Sequence, residues 1–270
     1  MLNGISIILL ILNWLPFAKD EPQFQSICEK EINVQLFSTD HLNNLYAVDN
    51  NVLVKLNTNC TKEKSYSQSA AYTIDAIDVS DPLKILIFNK DYNQMVFLNN
   101  QLAEITDPIS FDNYGYYAVS GICTSSKGGF WIFDQSNLQL VYFNRERKEQ
   151  KKSARLVTFF DEDHNASEIY LHEKNDHLYL GIPEVGILLF DLYGSYIKTF
   201  PVKIMNDFQV VNQTIIHCKS NHLHFYDTQT LEQESFGLPV ENVINARVEN
   251  QYLYIQKKNK LFIYQWQTNK

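Results

Sequence analysis

His222-Leu223-His224 sets two imidazoles two residues apart, with Asp227 close behind, in a segment that alternates like a β-strand. Residues i and i+2 of a strand share a face, so both rings can offer nitrogen donors together, a spacing that transition-metal sites use. No third clustered ligand accompanies them, and the expectation is a pair of strand histidines without a metal. Asp161-Glu162-Asp163-His164-Asn165 gathers carboxylates of the kind that hold calcium. It lacks the ordered alternation and glycine of a calcium loop and reads as a solvated loop. Gly-x-Ser-x-Gly, phosphate-loop and dinucleotide fingerprints are all missing from the sequence. No catalytic residue, metal or cofactor is therefore assigned.

The four cysteines, Cys28, Cys60, Cys123 and Cys218, are dispersed, and none forms the close ligand pair a zinc site needs. Cys28 and Cys60 lie in polar context on either side of the first strand pair and could form a disulfide in an oxidising compartment. Cys123 and Cys218 sit in or beside apolar runs and read as small buried hydrophobes. Phe111-Asp112-Asn113-Tyr114-Gly115-Tyr116-Tyr117 concentrates aromatic rings in one loop. Tyrosine joins a large apolar surface to a polar tip with few rotors, so Phe111, Tyr114, Tyr116 and Tyr117 are the expected docking patch, with packing between structural units as the competing reading.

Residues 1–18 hold a short apolar run, Ile5-Ser6-Ile7-Ile8-Leu9-Leu10-Ile11-Leu12, followed by Lys19-Asp20-Glu21. A spanning helix needs about 20 apolar residues, so this segment reads as a signal peptide ending at Ala18 rather than an anchor, leaving no transmembrane span in the mature chain. An exported protein of the periplasm or cell envelope is the expectation. The formal net charge of −8 argues against a nucleic-acid partner, because a phosphate-binding face needs clustered cations. The basic run Arg145-Glu146-Arg147-Lys148-Glu149-Gln150-Lys151-Lys152 is interrupted by acids and reads as a solvated inter-strand loop.

These groups are carried on a repeat. Six times, a short run of Tyr, Phe, Leu, Ile and Val is followed by a polar turn and a second run, as in Phe130-Trp131-Ile132-Phe133 then Leu140-Val141-Tyr142-Phe143. The turns, anchored at Asn51, Asn93, Asn137, Val185, Asn221 and Asn259, recur on average about every 42 residues. With only nine Gly and seven Pro, the chain must build its turns from Asn and Asp, which tolerate left-handed backbone. Apolar residues make up 45% of the chain and aromatic residues 13%, enough for a large core, and the period of two excludes helical solenoids. A unit of about 42 residues has room for four strands of about five, the size of a propeller blade.

An inner strand precedes each pair, among them Val34-Gln35-Leu36-Phe37 and Val243-Ile244-Asn245-Ala246-Arg247-Val248. Asp75, Asp78 and Glu168 are the polar groups nearest such strands, and each reads first as a strand-end or turn residue. Too little chain follows the last pair for a fourth strand, so residues 23–27 are expected to complete blade six and close the ring. The turn Asp134-Gln135-Ser136-Asn137 before Leu138-Gln139-Leu140-Val141 resembles the inter-strand turn of six-bladed propellers of the NHL and TolB-like superfamily. That resemblance implies an all-β six-bladed propeller of four-stranded antiparallel blades, residues 19–270 forming one domain. The Trp-Asp and Gly-His signatures of WD repeats are missing.

An export segment, a ring scaffold and no chemical motif together point to a non-catalytic interaction scaffold whose partners are other proteins, such as an outer-membrane or envelope complex. The alternative is a lyase- or hydrolase-type enzyme, or a small-ligand binder, working from the axial pocket. A polar axis would favour the second and an apolar plug would exclude it.

Overall fold

The computed structural model describes residues 22–69, 72–160 and 166–267. The segment read as a signal peptide and the acidic run 161–165 lie outside the described residues. Six antiparallel sheets of four strands follow one another along the chain, five built from consecutive strands. In the sixth, Val243–Glu249, Tyr252–Lys257 and Lys260–Gln267 are joined by Gln23–Glu31 from the other end of the chain. The register runs from Gln23 opposite Gln267 to Glu31 opposite Lys260, with a bulge between Ser26 and Cys28.

Six blades held in an open arc would share five interfaces, whereas a closed ring shares six. Six apolar clusters are present, each drawing on two neighbouring blades, and the one that closes the ring packs Leu45, Ala47 and Val54 of blade one against Tyr254, Leu261 and Ile263 of blade six. The second and third strands are mostly buried between neighbouring blades, Ile85–Asn89 and Phe130–Asp134 throughout, with His222–Asp227 of blade five the more exposed exception. This explains why those strands read as continuous apolar runs. Close packing of the blades also fixes small residues: a Cβ on Gly121, in the inner strand of blade three, would stand 2.8 Å from Cδ1 of Ile169 in blade four.

Turn chemistry follows the amide-rich composition. Asn50 and Asn51 (φ 49° and 64°) and Ser220 and Asn221 (52° and 60°) are consecutive left-handed residues, the backbone of a two-residue hairpin whose twist matches the flanking strands. In blade three the left-handed residue is Leu138 (φ 53°), one past the expected Asn137. There, buried Asp134 accepts the Ser136 amide at 3.1 Å and the Asn137 side-chain amide at 2.7 Å, which locks the turn.

The outer strands are the elements that sequence patterning hid. Lys62–Tyr66 and Gln233–Gly237 are almost wholly exposed, and Ile109–Ser110 has two residues. The run read as a solvated loop, residues 145–152, is corrected in its second half: Glu149–Lys152 is the outer strand of blade three, paired with Gln139–Phe143. An outer strand pairs on one side only and meets water along its length, so its side chains carry no apolar alternation. Cys28, in the outer strand of blade six, is bridged to Cys60, in a turn of blade one, with Cα atoms 6.1 Å apart. Cys123 and Cys218 are free and buried. No described helix is long and apolar enough to cross a membrane.

Candidate functional site

All six inner strands run the same way along the ring axis, so each blade delivers its strand starts to one face and its strand ends to the other. The start face also carries the turns between second and third strands and the connections from blade to blade. A cavity of about 230 Å³ opens along the axis on that side, lined by every blade through Gln35, Asp75, Ser120, His172, Asp207 and Asn245. A second, of about 210 Å³, opens toward the end face and is lined by Asp40, Asp78, His172, Glu173, Arg247 and Glu249 among others. His172 belongs to both and marks the waist between them. The axis is therefore polar and hollow.

At that waist three blades converge. His172 Nε2 lies 2.6 Å from Asp207 Oδ1, and Arg247 Nη1 donates to Asp207 Oδ2 at 2.6 Å. Burial alone would raise the Asp207 carboxyl, but the charge and hydrogen bond of His172 and the charge of Arg247 outweigh it and hold it at about 2. An ionised carboxylate only accepts, so Nε2 carries the proton and donates. That bond orients the ring and leaves Nδ1 as the nitrogen not taken by Asp207. The ring is fixed edge-on to Phe208, centroids 4.8 Å apart. Buried Arg247 has an Nε with no hydrogen-bond partner, and Glu249 at the same mouth has its carboxyl pushed up by burial. An oriented imidazole, a buried guanidinium and a carboxylate can together hold a small polar ligand or move a proton.

Sequence reasoning located all three strands but not this convergence. His172, Asp207 and Arg247 come from blades four, five and six, and only ring closure brings them together. One signal was present: Arg247 stands between Ala246 and Val248 in an otherwise apolar inner strand, where a charge needs a partner.

Asp75 and Asp78 do line the axis, but their oxygens are committed locally. Asp75 accepts the Lys90 amide at 2.8 Å, and Asp78 ties blade two to blade three by accepting Thr124 N and Oγ1, each at 2.7 Å. Glu168 is an exposed residue at the channel mouth. His222 and His224 lie on neighbouring positions with centroids 6.2 Å apart, but the partner of His224 is His217, stacked at 4.9 Å across the strand pair. Asp227 instead caps the Gln229 and Thr230 amides. No cluster of three or more His, Cys, Asp or Glu among the described residues is arranged to hold a metal ion.

The aromatic loop divides. Residues Phe111–Tyr114 form a 3-10 turn closed by Gly115 in the left-handed region (φ 81°). Phe111 and Tyr116 are buried between blades two and three, where the Phe111 ring packs edge-on to Phe88 and Phe130, so as surface residues they are corrected. Tyr114 and Tyr117 remain exposed, at 38% and 75%, and Tyr92 of the adjacent hairpin turn joins them at 48%. Asn93 welds the two segments: its side-chain amide donates to Asp112 Oδ1 and to the Tyr116 carbonyl, both at 2.6 Å, and its Oδ1 accepts the Val119 amide at 3.2 Å. Three tyrosines thus stand on rigid backbone at the start face.

No protein-family model matches this chain. No curated protein matches it in sequence either. Among solved structures it is similar to a catalytically inactive virginiamycin B lyase from Staphylococcus aureus with quinupristin, at 9% identity and a TM-score of 0.60, over 91% of this chain and 99% of that one. A streptogramin B lyase structure gives 10% identity and 0.60, over 91% and 97%. The Pan2 WD40 domain of Neurospora crassa gives 8% identity and 0.58, over 92% and 96%. At such identities the likeness is one of fold, and it agrees with the ring of blades described above.

Proposed function

We propose that this chain is an exported propeller that serves as a docking platform for other proteins of the cell envelope, without chemistry of its own. The observation that carries the reading is the trio Tyr92, Tyr114 and Tyr117, exposed on one face and held by the Asn93 hydrogen bonds. Rigid amphipathic rings lose little entropy on binding, and such residues dominate the energetics of protein interfaces. The apolar segment at residues 5–12 and the Cys28–Cys60 bridge support an oxidising compartment. A photo-crosslinking residue at position 117 of the full chain, in the cells that make it, is expected to yield one discrete cross-linked species. The same probe at position 146, on the opposite face, is expected not to. Equal patterns from both positions, or none from either, reject the platform.

A second reading is favoured by the axis. The waist built from His172, Asp207 and Arg247 is polar and opens to both faces, as a propeller that binds a small polar ligand, or turns one over with His172 as base, would require.

A further inference from the structure

A further cavity lies off the axis. It is a groove of about 840 Å³ on the end face, between the loops of blades two, three and four, lined by Asp81, Lys84, Arg145, Glu173, Lys174 and Asp176, with several serines and glycines between them. Its charges are unequally spent. Asp81 Oδ1 accepts the Leu83 amide at 2.9 Å, and Asp176 pairs with Lys127 at 2.9 Å. Glu173 takes the Ser126 amide and hydroxyl on one oxygen, at 2.8 and 2.7 Å, and the Trp131 indole on the other, at 3.0 Å. Among the described residues, Lys84, Arg145 and Lys174 have no carboxylate within ion-pairing distance. Neutral donors leave the charges of Asp81 and Glu173 in place but occupy carboxylate oxygens, so the groups of the groove left to meet a ligand are chiefly the cations.

The cations are also positioned. A Cβ at Gly128 would stand 1.9 Å from Arg145 Nε, so the guanidinium rests on bare backbone that only glycine leaves clear. The Lys84 ammonium sits 4.2 Å from the centroid of the Phe97 ring. Burial lowers the Lys84 pKa; the charge of Asp81 opposes it, and the weaker repulsions of Arg145 and Arg147 add to the lowering, so several cations share this corner of the groove. Arg147 approaches from the same turn and, with Lys84 and Arg145, lines a smaller adjoining cavity of about 80 Å³. Two other cations of the basic run are committed elsewhere, Lys151 to the Leu192 carbonyl at 2.7 Å and Lys152 to Glu149 at 3.2 Å.

We infer that this groove is an anion-binding site for a phosphate-bearing group, held by Lys84 and Arg145 with Lys174 across the opening. A single carboxylate would leave most of the positive charge unmet, whereas a multiply charged phosphate engages the planar guanidinium by two hydrogen bonds and the ammonium as a point charge. The site faces away from the tyrosine trio and does not depend on the platform reading.

Inorganic pyrophosphate, titrated into the full chain by calorimetry, is the direct probe, with vesicles containing phosphatidic acid, whose monoester headgroup can carry two charges, in a co-sedimentation arm. Saturable pyrophosphate binding is expected, weakened at least about tenfold by Arg145→Gln and by Lys84→Gln, because each removes a charge-assisted hydrogen bond. Lys148→Gln, the same change of charge in the same turn but outside the groove, should alter it less than about twofold. Vesicle binding that pyrophosphate competes away would support the site with a lipid headgroup as its source. Binding of pyrophosphate without vesicle binding would support it with a free phosphate compound. No pyrophosphate binding, binding that all three variants weaken equally, or vesicle binding indifferent to pyrophosphate would each overturn it.

Discussion

His217 sets a specific limit on how acidic a solution this ring tolerates. The residue is 5% exposed in the second strand of blade five, stacked on His224, and its Nδ1 is buried with no hydrogen-bond partner. Burial first, then the charges of His224 and Lys219, lower its pKa from 6.5 to about 4. Above pH 6.5 the folded and unfolded chains both keep the imidazole neutral, and pH does not act through it. Between 6.5 and about 4 the unfolded chain takes up a proton that the folded chain refuses, so stability falls as pH falls through that window. At about 1.4 kcal/mol per tenfold change in proton affinity, the loss approaches about 3 kcal/mol and reaches roughly 2.5 by pH 4.5. The perturbation is His217→Gln, which keeps a polar side chain and removes the titration. Urea unfolding of both proteins, followed by tryptophan fluorescence from pH 7.5 to 4.5, cancels the carboxylates they share. The variant should lose stability less steeply, the gap between the two closing or reversing by about 2–3 kcal/mol over the range. Parallel curves, within about 0.5 kcal/mol throughout, would refute the assignment of a neutral, unprotonatable imidazole to the folded state.

Two further outcomes bear on closure and on the axis. Replacing Cys28 and Cys60 together by serine removes a bridge across 32 residues of sequence, and loop-closure entropy puts the loss at roughly 3–4 kcal/mol; a urea midpoint equal to that of the oxidised native chain, and insensitive to reductant in both, would show that the bridge does not form. For the axial reading, a thermal-shift screen of small polar compounds should find a ligand that stabilises the native chain by about 2.7 kcal/mol at a hundred times its Kd, and this stabilisation should vanish in His172→Gln. Hits that shift both proteins equally, or an empty screen, remove the axial site.

The ring itself was legible because its determinants are local. Each blade places two apolar runs about a polar turn, and the register of neighbouring strands follows from turn chemistry at Asn51, Asn93, Asn221 and Asn259, whose left-handed backbones the amide composition implied. Closure was legible because residues 23–27, a strand-like segment ahead of blade one, lacked a partner within that blade, and they pair with the last strand of blade six. The outer strand Glu149–Lys152 was not legible, since a strand bonded on one edge and wet on the other needs no apolar residue to exist. Nor was the burial of Phe111 and Tyr116, because an aromatic residue that fills an inter-blade gap and one that awaits a partner are the same residue in sequence.

Antiparallel blades impose a geometry on function that single strands do not reveal. Residues at the two ends of one strand open onto opposite faces, so groups of one blade part company, while groups of neighbouring blades, some forty residues apart, meet. Tyr117 and Arg145 illustrate the first case: one follows an inter-blade connection and the other a third strand of the same blade, and they emerge on opposite sides of the ring. His172 and Arg247 illustrate the second, sharing one carboxylate from blades that flank it. Functional positions in such a fold therefore recur at blade spacing, at matching points of successive repeats, and a search of the sequence for close-set motifs passes over them. Asp207 precedes the inner strand of blade five, while His172 and Arg247 lie within those of blades four and six. The inner strands, compared position by position across the six repeats, are where polar residues in an apolar context mark what the axis does.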